Sequence, residues 1–222
     1  MHCMKKSLSM LAILFALAAP ITAAAEQDNP TYTGAESTSE KAFVAAIQAD
    51  LMKRFPTVAD AEKAGYFRYT NADETGAISY ANLQWVSTDI KHPSQLWYDK
   101  DGNLLGADYS IAYVQGAKAP ALWGVNPGRW RQFDGHIHYV IKDPKTGALL
   151  YADDQYAMDA KFVAAGGSLT DPSAQTLVVM KKVPNAGEVV KIFHFPAIWD
   201  LVVWVKPNPS GAFAWKNPNV RI

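Results

Sequence analysis

The chain almost lacks cysteine: its single one, Cys3, stands ahead of an apolar run near the start. That excludes an internal disulfide and a thiolate-built zinc site. Cys3 also precedes the run instead of ending it, which excludes a lipid-anchoring cysteine at a cleavage site. There is no excess of charge, with 21 Lys and Arg against 21 Asp and Glu and no basic stripe or tail, so nucleic acid is not an expected partner. No apolar run is long enough to cross a bilayer as a helix, which takes about 20 residues. No phosphate-binding glycine loop or dinucleotide fingerprint occurs, so no nucleotide cofactor is expected. There is no Gly-x-Ser-x-Gly elbow either. Asp99-x-Asp101-x-Asn103 opens like a calcium loop, but Leu104 stands where the sharp turn needs glycine and no Glu closes it. That segment reads as a hairpin turn.

What is present begins with an export pattern. Lys5 and Lys6 precede the apolar stretch Leu8 to Ala19, Pro20 breaks it, and Ala23-Ala24-Ala25 supplies small residues for a signal peptidase. Residues 1–25 are therefore expected to be a cleavable secretory signal, with the mature protein periplasmic or secreted and without a membrane span. The polar, turn-rich stretch 26–36 reads as a flexible leader. Residues 37–222 read as a single β-rich globular domain, long enough to bury a core without disulfides.

Ser37 and Glu40 have capping-box spacing, and Phe43, Ile47, Leu51 and Phe55 then recur every four residues until Pro56. A helix is predicted there, and a shorter one from Thr57 to Ala64 with Gly65 as its stop. Strands are predicted at 66–69, 78–86, 95–98, 104–113, 136–142, 148–151, 176–182, 189–195 and 198–205, with a short helix over 157–165. The fold class is α+β: one or two N-terminal helices packed on a mainly antiparallel β-sheet or partial barrel.

His136 and His138 flank Ile137 on a predicted strand, where alternation sends both rings to one face. Neutral imidazole nitrogens suit zinc, copper or iron, so one such transition metal ion is the expected cofactor. His194 is the first choice for a third ligand, with His92 or Asp200 behind it. A second reading comes from tryptophan: Trp123 and Trp130 bracket Gly124-Val125-Asn126-Pro127-Gly128-Arg129, a loop able to present a stacking platform for a glycan or other flat small molecule. The first reading is an exported metal-binding protein, with or without a metal-dependent reaction that the sequence does not name. The alternative is a non-enzymatic carbohydrate or flat-ligand binding module.

The ending, Trp204-Val205-Lys206-Pro207-Asn208-Pro209-Ser210-Gly211-Ala212-Phe213 with Asn217-Pro218-Asn219-Val220, resembles that of a group of exported bacterial proteins of unassigned function. Ala64-Gly65-Tyr66, His92-Pro93-Ser94-Gln95-Leu96-Trp97-Tyr98 and Leu122-Trp123-Gly124 carry the same resemblance through 57–222 in pieces. It implies export and one β-rich domain, and no activity. That group tends to carry histidines near Ile78-Ser79-Tyr80 and at Leu201-Val202, where this chain has none. In physical terms the Asn-Pro pairs favour turns, and Phe213 and Trp215 are spaced to point the same way in a strap that closes the core.

Overall fold

A computed structural model describes residues 32–72, 76–151 and 155–220; the expected signal and the first part of the expected leader lie outside them. The first helix, α1 (Thr38–Arg54), starts where its caps dictate. Ser37 Oγ accepts from the Glu40 N–H and Glu40 reaches back to the Ser37 N–H, satisfying two backbone donors reciprocally. Phe43, Val44, Ile47 and Leu51 form its buried stripe. The same device, Thr57 with Asp60, starts α2 (Val58–Lys63), and Gly65 leaves it at φ +87°, a backbone region glycine enters at no steric cost.

Two antiparallel sheets follow. The first has the order β1 (Phe67–Ala72), β2 (Ile78–Ala81), β3 (Gln95–Tyr98), β4 (Leu104–Ala112), β10 (Ile198–Trp204), β5 (Arg131–Phe133). The second is built on β6 (His136–Lys142), which pairs with β7 (Leu149–Leu150), β8 (Tyr156–Met158) and β9 (Val189–Phe195). Two short helices, α3 (Asp159–Ala164) and α4 (Ala174–Val179), and three 3-10 turns are the other elements among the described residues. The architecture is α+β, and the sheets do not close into a barrel.

Side-chain alternation sorts the core into layers. Leu96, Tyr98, Ala107, Tyr109, Leu201 and Val203 turn one face of the first sheet to the α1 stripe. The opposite face meets the second sheet through Tyr69, Ala81 and Ile198 against Phe193 and Phe195. Beyond it, Ile137, Tyr139 and Ala157 are covered by Phe162 of α3 and Leu177 of α4. Among the described residues no helix is long and apolar enough to cross a membrane.

Several elements differ from the sequence expectation. Residues 176–182, expected as a strand, lie largely in α4, because Ser173 Oγ accepts from the Thr176 N–H and starts a helical turn. A short apolar run does not by itself distinguish strand from helix. The strand expected over 78–86 stops at Ala81, where Asn82 caps a 3-10 turn over Leu83–Trp85. The helix expected over 157–165 begins only at Asp159, leaving Tyr156–Met158 as a strand. Residues 32–36, the described part of the expected leader, are fastened down: Arg129 donates to the Tyr32 and Gly34 carbonyls, and Glu36 accepts from the Ala212 N–H. The C-terminal strap packs as expected but runs in turns, so alternation fails. Phe213 enters the α1 side of the core, whereas Trp215 lies against Trp97 and Trp204 on the other face.

Candidate functional site at the histidine pair

Strand β6 carries His136 and His138 on the face turned to the first sheet. Cross-strand register decides their surroundings: His136 lies opposite Phe195 and Met158, and His138 opposite Phe193 and Tyr156. Directly opposed residues of an antiparallel pair share a face. Each imidazole accordingly stacks on a phenylalanine, His136 on Phe195 at 5.4 Å between ring centres and His138 on Phe193 at 5.7 Å. The two imidazoles stand 5.9 Å apart, and Tyr69 of the first sheet meets His138 edge-on at 4.9 Å.

Both rings are held neutral. Burial pushes His136 below its usual range, against weaker opposing pulls from the Asp134 carbonyl and Asp159. Burial and then the neighbouring His136 push His138 down to about 3; the backbone of Tyr139 pulls slightly the other way without reaching hydrogen-bond geometry at Nδ1. The Asp134 carbonyl, 3.1 Å from His136 Nδ1, can only accept. Nδ1 therefore carries the proton and Nε2 keeps its lone pair. His138 is 4 % exposed, and its Nδ1 is buried with no hydrogen-bond partner. An orphaned polar atom in an aromatic layer costs on the order of 1–3 kcal/mol, which a ligand on that nitrogen would relieve.

The other residues expected at the site stand apart from the pair. His194 lies opposite Ile137 in the register, on the face away from His136 and His138, and its Nε2 is 3.0 Å from Asp159 Oδ2. His92 sits in the loop before β3, bonded to Asp89 at 2.8 Å and stacked on Trp85 at 4.0 Å. Asp200 does face the second sheet, but it is engaged within the first. Among the described residues, no three His, Cys, Asp or Glu side chains stand together as a metal site.

The tryptophan loop packs against the core. Trp130 is 3 % exposed. Trp123 adopts a left-handed backbone, φ 56°, and lays one face on Phe43 at 5.8 Å with Trp130 tilted against it at 5.5 Å. One face of the half-buried Trp123 is thus committed to Phe43, and Trp130 is enclosed.

A buried polar network escaped the sequence reading apart from Asp200. Asp108 and Asp200, on neighbouring strands, project from the same face of the first sheet. Asp200 accepts from Ser110 Oγ at 2.8 Å, Ser110 meets Ser94 at 2.5 Å, and Asp108 accepts from Trp97 Nε1 at 2.9 Å. Burial raises the Asp200 carboxyl above its ordinary range, against hydrogen bonds from Ser110 and Asp108. Tyr69, which touches His138, donates to Gln95 beside Asp108 in the register. Charged and hydroxyl residues at alternate positions of apolar strands, Asp108 and Ser110 in one and Asp200 in another, were the available signal. The chain matches no family model, no curated protein and no solved structure.

Proposed function

We propose that this is an exported metal-binding protein whose ion is held by His136 and His138. The carrying observation is the buried Nδ1 of His138, without a protein partner and next to a second neutral imidazole whose Nε2 lone pair is uncommitted. Two desolvated neutral imidazoles on one rigid strand are prepared ligands, since neither must lose a proton near pH 7 and little rotamer freedom remains to be lost. The apolar rings around them limit water access and strengthen any bond formed there. His194 has no part in the site. Export rests on the charge, apolar run and small-residue order of residues 1–25.

The test is elemental analysis of the exported protein purified without a His tag or chelator, beside the variants His136→Ala and His194→Ala. About one transition metal per chain is expected in wild type and in His194→Ala, and none in His136→Ala. A folded wild-type protein that carries no metal and takes up none on addition overturns the proposal.

A further inference from the structure

Resting on that reading, we infer that the ion is monovalent copper, Cu(I), held by His136, His138 and the thioether of Met158. The register places Met158 directly opposite His136 on β8, so its side chain leaves the sheet on the same face as both imidazoles. His136 is thus flanked by Phe195 on one neighbouring strand and Met158 on the other. Met158 is half-buried and ends its strand immediately before α3.

Three features select Cu(I) over a divalent ion. The first is donor type: thioethers are soft, selecting Cu(I), while divalent zinc or Cu(II) favours three or four nitrogen, oxygen or thiolate donors. Among the described residues no carboxylate joins the pair to supply that set. The acid whose charge His136 feels is Asp159, and it is bonded to His194. The second is separation. With metal–nitrogen bonds of about 2.0 Å and each ring centre roughly 1.1 Å behind its nitrogen, two imidazoles on one ion sit about 5 Å apart at a tetrahedral angle and about 6 Å apart in a line. The observed 5.9 Å lies near the linear limit, which a d10 monovalent ion accepts with a weaker third donor to one side. The third is the shell: the rings of Tyr69, Phe193 and Phe195 pack on the pair, with Phe67 edge-on behind Phe193. Leaving water for such a layer costs a monovalent ion far less than a divalent one, because the Born term grows with the square of the charge.

The experiment uses the full chain carrying Cys3→Ser, in which methionine is the sole source of sulfur. Cu(I) is titrated anaerobically against a chromogenic copper chelator, with Zn(II) and Cu(II) titrated in parallel, and the Cu(I) form is examined by X-ray absorption. The expected result is one Cu(I) per chain with two nitrogen neighbours and one sulfur neighbour. Met158→Leu, a volume-conserving change, keeps the fold by circular dichroism, removes the sulfur signal and weakens Cu(I) by about tenfold or more with Zn(II) unchanged. Because His138 is buried and His138→Ala can unfold the protein, the absorption spectrum of the unsubstituted site stands as the independent readout. Cu(I) bound without sulfur, or bound no more tightly than Zn(II), overturns the copper inference and leaves metal binding by the pair in place. No binding of any of the three ions to folded protein overturns both.

Discussion

Replacing Arg129 by Met tests the most buried ion pair in the described structure. Glu40 and Arg129 side chains are 2 % and 6 % exposed, with Nε 3.1 Å from Oε1. The guanidinium also donates to the Tyr32 and Gly34 carbonyls at 2.8 and 2.7 Å, and it lies over the Tyr32 and Phe213 rings. Met keeps much of the apolar stem and deletes the charge and the donors. Glu40 is then left with only the backbone N–H groups of Ser37 and Asn126. Stranding one partner of a buried pair costs about 3–5 kcal/mol.

The carboxyl gives a second route to the magnitude. Burial alone would raise it, but hydrogen bonds from Arg129, Ser37 and Asn126 and the Arg129 charge outweigh burial and hold it at about 2, against an ordinary 4.5. A depressed acid stabilises the fold above its unfolded pKa, here by on the order of 3 kcal/mol, and that contribution is lost as pH falls from about 4.5 toward 2. Urea unfolding followed by tryptophan fluorescence should therefore show Arg129→Met less stable by about 3 kcal/mol near pH 7, with the gap narrowed by about 2 kcal/mol near pH 3. A cost below about 1 kcal/mol near neutrality, or one that does not change with pH, refutes the reasoning.

Two further perturbations probe the interior. Gly106 lies between Trp97 and Trp204 in the register, and an added Cβ would come 2.7 Å from the Val203 carbonyl oxygen. Gly106→Ala should thus cost about 2–3 kcal/mol in urea unfolding and disturb the near-ultraviolet signal of the tryptophan pair, which packs at 5.2 Å. Asp200 binds its proton more tightly folded than unfolded, so wild-type stability falls as pH rises from its ordinary 3.8 through the raised folded value. Asp200→Asn should be more stable than wild type near pH 8 by about 1 kcal/mol or more and gain nothing near pH 3.5; a variant less stable at both refutes the assignment.

What the sequence disclosed and what it withheld divide by range. Ser37 with Glu40, Thr57 with Asp60, and the i, i+4 stripe of α1 are decided within one or two turns, and these features stand where their spacing puts them. The shared face of His136 and His138 is local in the same sense, since alternation within one strand does not depend on the partner. The face of His194 does depend on the partner. It follows from how β9 registers against β6, and a slip of one residue would have brought His194 beside the pair instead of opposite Ile137. Met158 was unreadable for a related reason: the apolar run from Ala157 masked a strand end, and only pairing with β6 sets a thioether opposite His136. Asp108 and Asp200 meet through the pairing of β4 with β10, far apart in the chain. Their burial is expensive wherever a purely apolar layer would serve. The first sheet keeps that layer polar, the second sheet lines it with neutral imidazoles and phenyl rings, and Tyr69 touches both, hydrogen-bonded to Gln95 and edge-on to His138. An ion on the histidine pair would therefore rest against a wall that leads, through one tyrosine and one glutamine, to Asp108 and its neighbour Asp200, whose proton affinity burial has already raised.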